Sequence, residues 1–425
     1  MRCDLIWTGT AAAQSAVTEI SVWQRAQLSL NQPTDYYSTA QAPALAIQPI
    51  RKRQCIMTTT SNAVPNPIED AIENALKSSG KINIIIAGKT GVGKSTLINS
   101  VFRGDLAETG SGRPVTQRTE EISKPGHPIS ILDTKGLELK DYSFIAAELR
   151  SVIEQRSSSE DENQHIHVAW LCIHEDGRRV EDAEIELCRL FTEKKIPVIA
   201  VITKSRCDQG FSSEVKKALT SVAAVVSVRA LAEVMDDDGG EGIRLPPKGL
   251  DSLIQETAAL LPEAKQRAYA NALSSRHAAA TRIKIKQAEK EVAIAATAAG
   301  ALAAVPIPFS DALGLVPIQV GMLAKIGITF GMEISTTALT TLVTSTLGAG
   351  AATLIGRTLV TGLLKLVPGA GSVVGGTIAA ATATTLTKAL GAAYISVLTQ
   401  FIAQNPGKEL DMSLIARELR KRVSM

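Results

Sequence analysis

The eight residues Gly88-Lys89-Thr90-Gly91-Val92-Gly93-Lys94-Ser95 carry the most readable chemistry in this chain. They spell G-x-x-x-x-G-K-[ST]. The apolar run from Ile82 to Ala87 precedes them, and Leu97, Ile98 and Val101 follow at helical spacing. The motif requires that context, because a buried strand must deliver the loop and a helix N-terminus must receive it. Glycines let successive backbone N–H groups turn inward around phosphate oxygens. The lysine reaches the outer phosphates, and the serine hydroxyl can ligate Mg²⁺. The segment from Gly88 to Thr96 is therefore expected to hold a nucleoside triphosphate.

Farther on, two strand-like runs, Glu120–Ser123 and Ile129–Leu132, flank a Pro125-Gly126 turn. The second runs into Asp133-Thr134-Lys135-Gly136. A carboxylate at a strand end can reach Mg²⁺ through water, and the N–H of a glycine three residues later can meet the γ-phosphate. DxxG is common by itself. About 40 residues beyond the phosphate loop and directly after a strand, it is specific.

With both motifs in place, the segment from about 80 to 262 resembles the translation-factor-like class of P-loop GTPases, which includes the Ras and Era groups. The resemblance implies a Ras-like α/β G domain with a mostly parallel sheet. It further implies GTP/GDP and Mg²⁺ as ligands and hydrolysis of GTP to GDP. In "RPVTQRT" it makes Thr116 the threonine that closes on Mg²⁺ and the γ-phosphate, with Thr119 as the alternative. Ser95, Thr116 and Asp133 would then serve the metal, and Lys94, Thr116 and Gly136 the γ-phosphate. Family members place a glutamine directly after DxxG to orient the attacking water. Leu137 stands there instead, so another residue, a partner or a second G domain must orient it. Weak intrinsic hydrolysis, stimulated by assembly, is the expectation.

The same resemblance calls for [NT]KxD at the base. The strand Pro197–Ile202 leads into Thr203-Lys204-Ser205-Arg206-Cys207-Asp208, where Thr203 and Lys204 fit and Arg206 takes the aspartate place. Arginine offers donors only and cannot accept from the guanine edge. Asp208, two residues later, is the expected substitute if the loop bulges. Val225–Arg229 reads as the last strand, bringing Ala230 to the base, and Asp236–Gly242 as a flexible acidic loop before a closing helix with Leu250, Leu253 and Ile254. Between the motifs, helix, strand and helix are expected over about 141–157, His165–Ile173 and about 180–194. His165, His167 and His174 bracket the middle strand without a ligand-like carboxylate or cysteine spacing.

The chain has 425 residues, 45 Lys+Arg against 42 Asp+Glu, and only 4% aromatics within 45% hydrophobic residues. This balance gives no global nucleic-acid signal, and no KH-type GXXG reader is evident, so a nucleic-acid partner is not expected. The five cysteines form no CxxC pair and are read as reduced thiols in a cytoplasmic protein. No apolar h-region marks a secretory signal. Residues 1–62 read as a disordered leader or as an over-long start before Met57. Native peptides from 1–56 in mass spectrometry would refute the latter. A helix from Pro67, with Glu69 and Asp70 at its positive end, precedes the G domain over 63–80.

Beyond the G domain (81–262) the composition changes. Residues 262–291 read as one basic helix, with Lys265, Arg267, Arg276, Arg282, Lys284, Lys286 and Lys290. It is either a solvated face or a contact for anionic lipid. Val292–Ser310, Ile334–Gly356, Leu366–Thr387 and Ala389–Gly407 are each free of Asp, Glu, Lys and Arg, and are long enough to cross a bilayer. Pro306, Pro308, Pro317 and Pro368 are expected to break the region into short helices and hairpins. "VPIPFSDALGLVPIQVGMLAKIG" (Val305–Gly327) resembles the signature of a bacterial helical domain of unassigned function, found C-terminal to Era-like GTPase domains. That resemblance implies an all-α module over 263–405, driven by the GTPase and peripheral or integral at the cytoplasmic membrane. A soluble bundle burying the same residues stays open. The tail over 406–425 reads as a charged amphipathic helix, from Leu410, forming an exposed cap. The functional expectation is a slow GTP switch coupled to this module. Its alternatives are a nucleotide-controlled membrane-remodelling scaffold and a ribosome-linked GTPase, and self-association through the G domain is a further expectation.

Overall fold

All seven residues of strand β1 (Ile82–Gly88) are buried, which only a central strand covered on both faces permits. The computed structural model describes residues 67–78, 80–107, 120–134, 142–235, 243–304, 311–332 and 376–424. Thr116, Thr119, Gly136 and Leu137 lie outside these residues, as do the leader and all of 333–375. In chain order the elements are α1 (Pro67–Lys77), β1, α2 (Lys94–Val101), β2 (Glu120–Ser123), β3 (Ile129–Asp133), α3 (Tyr142–Ser157) and β4 (Val168–His174). Then come α4 (Asp182–Glu193), β5 (Val198–Thr203), α5 (Phe211–Ala218), β6 (Ala224–Ser227), β7 (Glu233–Met235) and β8 (Ile243–Leu245). Helices α6 (Leu250–Leu260), α7 (Glu263–Ala272), α8 (Ala278–Ala303), α9 (Asp311–Phe330), α10 (Gly376–Gln404) and α11 (Met412–Ser424) complete the chain.

Six strands form one sheet in the order β2-β3-β1-β4-β5-β6, parallel except where β2 runs against β3. Side chains alternate across β1. Ile82, Ile84 and Ile86 join a layer with Leu97, Trp170 and Val201, while Ile85 and Ala87 join one with Ile145, Leu149, Leu187 and Phe191. Because β1 lies between β3 and β4, their C-terminal ends share one edge. Ile86 is paired with Asp133 and Gly88 with Cys172. An α/β sheet offers its ligand site at such an edge, outside the strand ends where the order reverses.

A third apolar cluster belongs to the C-terminal helices. Val320, Leu323 and Ala324 of α9 meet Leu390, Tyr394 and Leu398 of α10, and Ile72 and Ala75 of α1 are part of it. The helix before the G domain thus packs on the C-terminal module. The tail is not the exposed helix expected from its charge. Ile415 and Leu419 are buried in the same cluster, one apolar stripe sufficing to dock an otherwise polar helix. The expected breaker Pro317 sits inside α9. The cost of its missing N–H is offset by the apolar face that the rest of that helix buries.

The single basic helix over 262–291 is also corrected. The chain breaks at 273–277 between α7 and α8, and several cations point inward. Lys284 is fully buried, its Nζ donating to the carbonyls of Thr329 (3.4 Å) and Phe330 (3.3 Å) at the C-terminus of α9. Burial, and after it the charge of Arg103, holds its pKa well below the usual lysine range. Lys265 donates to Asn163 Oδ1 (2.9 Å), and Arg267 pairs with the buried Glu291. Among the described residues, only Ala380–Gln404 is long and apolar enough to cross a membrane, and half of its most apolar window is buried against the rest of the chain.

Candidate functional site

The phosphate loop runs from the C-terminal end of β1 into α2. Gly88 lies so close to β4 that a Cβ on it would sit 2.4 Å from the Cys172 carbonyl. Gly93, the N-cap of α2, has φ +100, and a Cβ there would meet only Lys204 Cε at 4.0 Å. The first glycine answers to packing and the second to backbone conformation. Lys94 is buried over its own loop, with Nζ donating to Gly88 O (3.1 Å) and Lys89 O (3.4 Å). The ammonium is therefore held above the open cradle rather than in solvent. Lys89 turns the other way and pairs with Glu181, the N-cap of α4.

Asp133 is buried at the end of β3, and the N–H of Thr134 donates to Ile86 O (3.1 Å), locking this turn beside the loop mouth. Thr134 Oγ1 is buried without a hydrogen-bond partner, a group that an entering ligand can satisfy. An open glycine cradle, an inward lysine, the Ser95 hydroxyl at the head of α2 and a buried carboxylate fit a triphosphate with Mg²⁺. Thr90, Gly91 and Val92 complete this loop. Thr116 and Gly136 are not among the described residues.

Beside the N-terminal end of α2 a cleft of about 230 Å³ opens between the phosphate loop and the β5 and β6 loops. Val92, Gly93, Thr203, Lys204, Ala230 and Glu233 line it, and Thr96 also contributes. Thr203, Lys204 and Ala230 thus stand together as the sequence required. Lys204 has φ 51, a left-handed conformation that costs a non-glycine residue about 1 kcal/mol. The loop is held in that shape from below. Glu175, buried in the turn after β4, accepts from Ser205 Oγ (2.8 Å), Arg206 N (2.6 Å) and Cys207 N (3.1 Å). Its burial raises the carboxyl pKa, but these three donors outweigh that and leave it below the ordinary value. Buried Arg229 donates to Ser205 O (2.8 Å), and Arg178 to Asp208 O and Cys207 O (2.6 Å each).

Asp208 is not at the cleft. It caps α5, with Oδ1 accepting from Ser212 N (2.8 Å) and Oδ2 from Ser212 Oγ (2.8 Å) and Gly210 N (3.3 Å). The bulge that would have brought it to the base does not form, because the carboxylate is held by Gly210 and Ser212 at the start of α5, whose N-cap is Gly210. Glu175, Arg229 and Glu233 escaped the sequence reading. Glu233 begins a three-residue strand beside the acidic run, too short to leave a periodic trace. The histidine trio has local partners. His167 Nδ1 accepts from Asn83 N (3.1 Å), and burial pushes its pKa down to about 4, so it is neutral at pH 7. Among the described residues no cluster of His, Cys, Asp or Glu could hold a metal.

Glu184 carries a pH dependence. It is buried, its Oε2 accepts from Glu181 N (2.9 Å), and burial pushes its pKa up to about 7 from an ordinary 4.5. The folded chain keeps this proton between those values while the unfolded chain loses it. The group's stabilisation is therefore complete below about pH 4.5 and is lost as pH rises through about 7. Glu184→Gln should remove a loss of up to about 3 kcal/mol over that window. Urea midpoints at pH 5 and pH 8 check it. Wild type should drop relative to the variant at pH 8, and equal pH slopes would exclude Glu184 as the proton carrier.

A strand, glycine-rich loop and helix, with a carboxylate at the neighbouring strand end, define a P-loop nucleoside-triphosphate site. Residues 83–204 match the family described as "50S ribosome-binding GTPase", and residues 266–423 match a domain of unknown function. The first segment is thus a match to P-loop GTPase domains and the second to that helical domain. The chain's relatives include the tRNA modification GTPase MnmE of Verminephrobacter eiseniae, 30% identical over 145 residues, 32% of this chain and 27% of that protein. Ribosome biogenesis GTPase A of Priestia megaterium is 32% identical over 105 residues, 24% of this chain and 36% of the relative. Among solved structures, an Era variant of Aquifex aeolicus bound to GDP.AlF4- is 22% identical. The match covers 43% of this chain and 58% of that one, with a TM-score of 0.31. The chain spans half or less of the length of the curated relatives it matches.

Proposed function

We propose that this GTPase is a slow switch whose nucleotide state is passed to the helical domain through the C-terminal end of α2. The observation carrying this reading is the joint at residues 100–103. Ser100 O accepts from His277 Nε2 (2.6 Å), Val101 O from Ser274 N (3.0 Å), and Arg103 N donates to Ala272 O (2.9 Å). Arg103 Nε and Nη2 reach Asn271 O (3.0 Å) and Oδ1 (2.8 Å), and Asn271 in turn donates to Ile328 O of α9. The helix that begins under the phosphates therefore ends inside the helical module. Phe102 stacks on Trp170 of β4 at 5.7 Å and meets Tyr269 of α7 edge-on at 6.3 Å.

In this reading the loop N–H groups and Lys94 neutralise the charge developing on the γ-phosphate, where preorganised donors are worth most. Ser95, Asp133 and Thr116 would hold Mg²⁺, which supplies further neutralisation of the phosphate oxygens, and Gly136 would face the γ-phosphate. Leu137 offers no group to orient water, which makes intrinsic turnover slow. Phosphate release per molecule, followed over a wide dilution series with and without anionic vesicles, tests this. A rate that rises with protein concentration or vesicles supports an assembly- or membrane-linked switch. A rate flat in both removes that part of the reading. The scaffold alternative draws on the apolar α10 alone, and the ribosome-linked one on the names of relatives.

A further inference from the structure

We propose that Glu233 reads the guanine base and that Arg206 is the positioning residue that aims it. This inference rests on the GTP reading above. Guanine presents N1–H and N2–H₂ on one edge, and an ionised carboxylate, which carries acceptor sites only, can accept from both. Among the described residues, four carboxylates stand near the cleft. Asp208 spends both oxygens capping α5, and Glu175 spends both beneath the loop on Ser205, Arg206 and Cys207. Asp176 does not line the cleft and lies 3.8 Å from Arg206 Nη1. Glu233 does line it, following Leu231 and Ala232 on the same wall.

Arg206 occupies the place where the family carries aspartate, and it holds the carboxylate of Glu233. Its Nε donates to Glu233 Oε1 at 2.9 Å, and its Nη2 reaches the same oxygen. Both arms of the fork land on Oε1, which fixes the rotamer and leaves both lone pairs of Oε2 to accept from N1–H and N2–H₂. The backbone beneath is fixed as well, by Glu175 on the Arg206 N–H and by the Arg229–Lys248 backbone pair (3.0 Å each way) at the foot of the β7–β8 hairpin. The aspartate of the usual loop has thus been exchanged for a carboxylate on the facing hairpin, with a donor-only residue as its holder. A plain surface ion pair at this position would be worth little and would carry no base selectivity.

The test is competition by GTP, XTP and ATP for the full-length chain with Mg²⁺, comparing wild type, Glu233→Gln, Arg206→Ala and Asp208→Asn. XTP carries a carbonyl in place of the guanine amino group. An amide at 233, held by Arg206 through its oxygen, turns its NH₂ to the base and can donate to that carbonyl. Glu233→Gln should therefore lose about tenfold or more in GTP affinity and gain XTP affinity. Arg206→Ala should narrow the GTP:XTP ratio without altering the melting temperature of the nucleotide-free chain. Asp208→Asn should leave the ratio where it was. A Glu233→Gln protein that keeps its GTP preference with no XTP gain overturns the assignment. An unchanged ratio in Arg206→Ala removes the role of the arginine. Wild type binding ATP as well as GTP overturns the guanine reading itself, a result distinguishable from the first.

Discussion

Lys94→Ala is expected to lower GTP hydrolysis by about 10²–10³-fold, the cost of removing one preorganised donor from a developing oxyanion. Lys94 is the buried cation of the loop, and its partners are two carbonyls of that loop rather than a carboxylate. No ion pair has to be broken for it to act, so its charge is available to the outer phosphates. The substitution also removes two bonds that tie the loop together. Nucleotide affinity should fall along with turnover, while the melting temperature of the nucleotide-free chain stays nearly constant. Steady-state phosphate release and a nucleotide-free melt check both halves. Hydrolysis within about threefold of wild type would mean that the phosphates are not held where this loop places them.

Phe102→Ala is expected to be the most damaging single change outside the loop. The ring is 1% exposed and lies between Trp170 of the sheet and Tyr269 of the helical domain. Its backbone forms an antiparallel bridge with Leu273. Deleting a buried ring of this size leaves a cavity and costs about 3–5 kcal/mol. That is a large part of a typical domain's stability. Urea unfolding followed by fluorescence should show a lower midpoint. The loss should exceed that of Val101→Ala, whose side chain is also buried but smaller. An equal or smaller loss would mean that the aromatic joint carries little of the packing between sheet and helices.

The phosphate end was legible because its chemistry is local. Strand, loop and helix are contiguous in sequence, and the Asp133 strand follows within reach, so spacing alone placed Ser95 and Asp133 on one edge. The base end was legible only in part. Thr203, Lys204 and Ala230 come from strand ends that hydrophobic runs reveal. Glu233 comes from a three-residue strand stabilised by a hairpin partner ten residues away, which no periodicity records. Asp208 looked like a substitute because its identity fitted, yet the N-terminus of α5 claims it. In the C-terminal half the composition suggested membrane length, but it could not show which alanines and leucines face one another. Lys284 illustrates the limit. A lysine in a basic run reads as solvated, and only the folded chain reveals that it caps the end of α9 from inside the protein.

In the proposed switch the state of the phosphate loop is felt in the helical domain through residues 100–103. Hydrogen–deuterium exchange of the full-length chain with Mg²⁺ tests it most directly, comparing GDP with a non-hydrolysable GTP analogue. Amides in Ala278–Ala303 and Asp311–Phe330 should change protection between the two states, together with those of the phosphate loop. Protection that changes in the loop and is identical in both helices would contradict it.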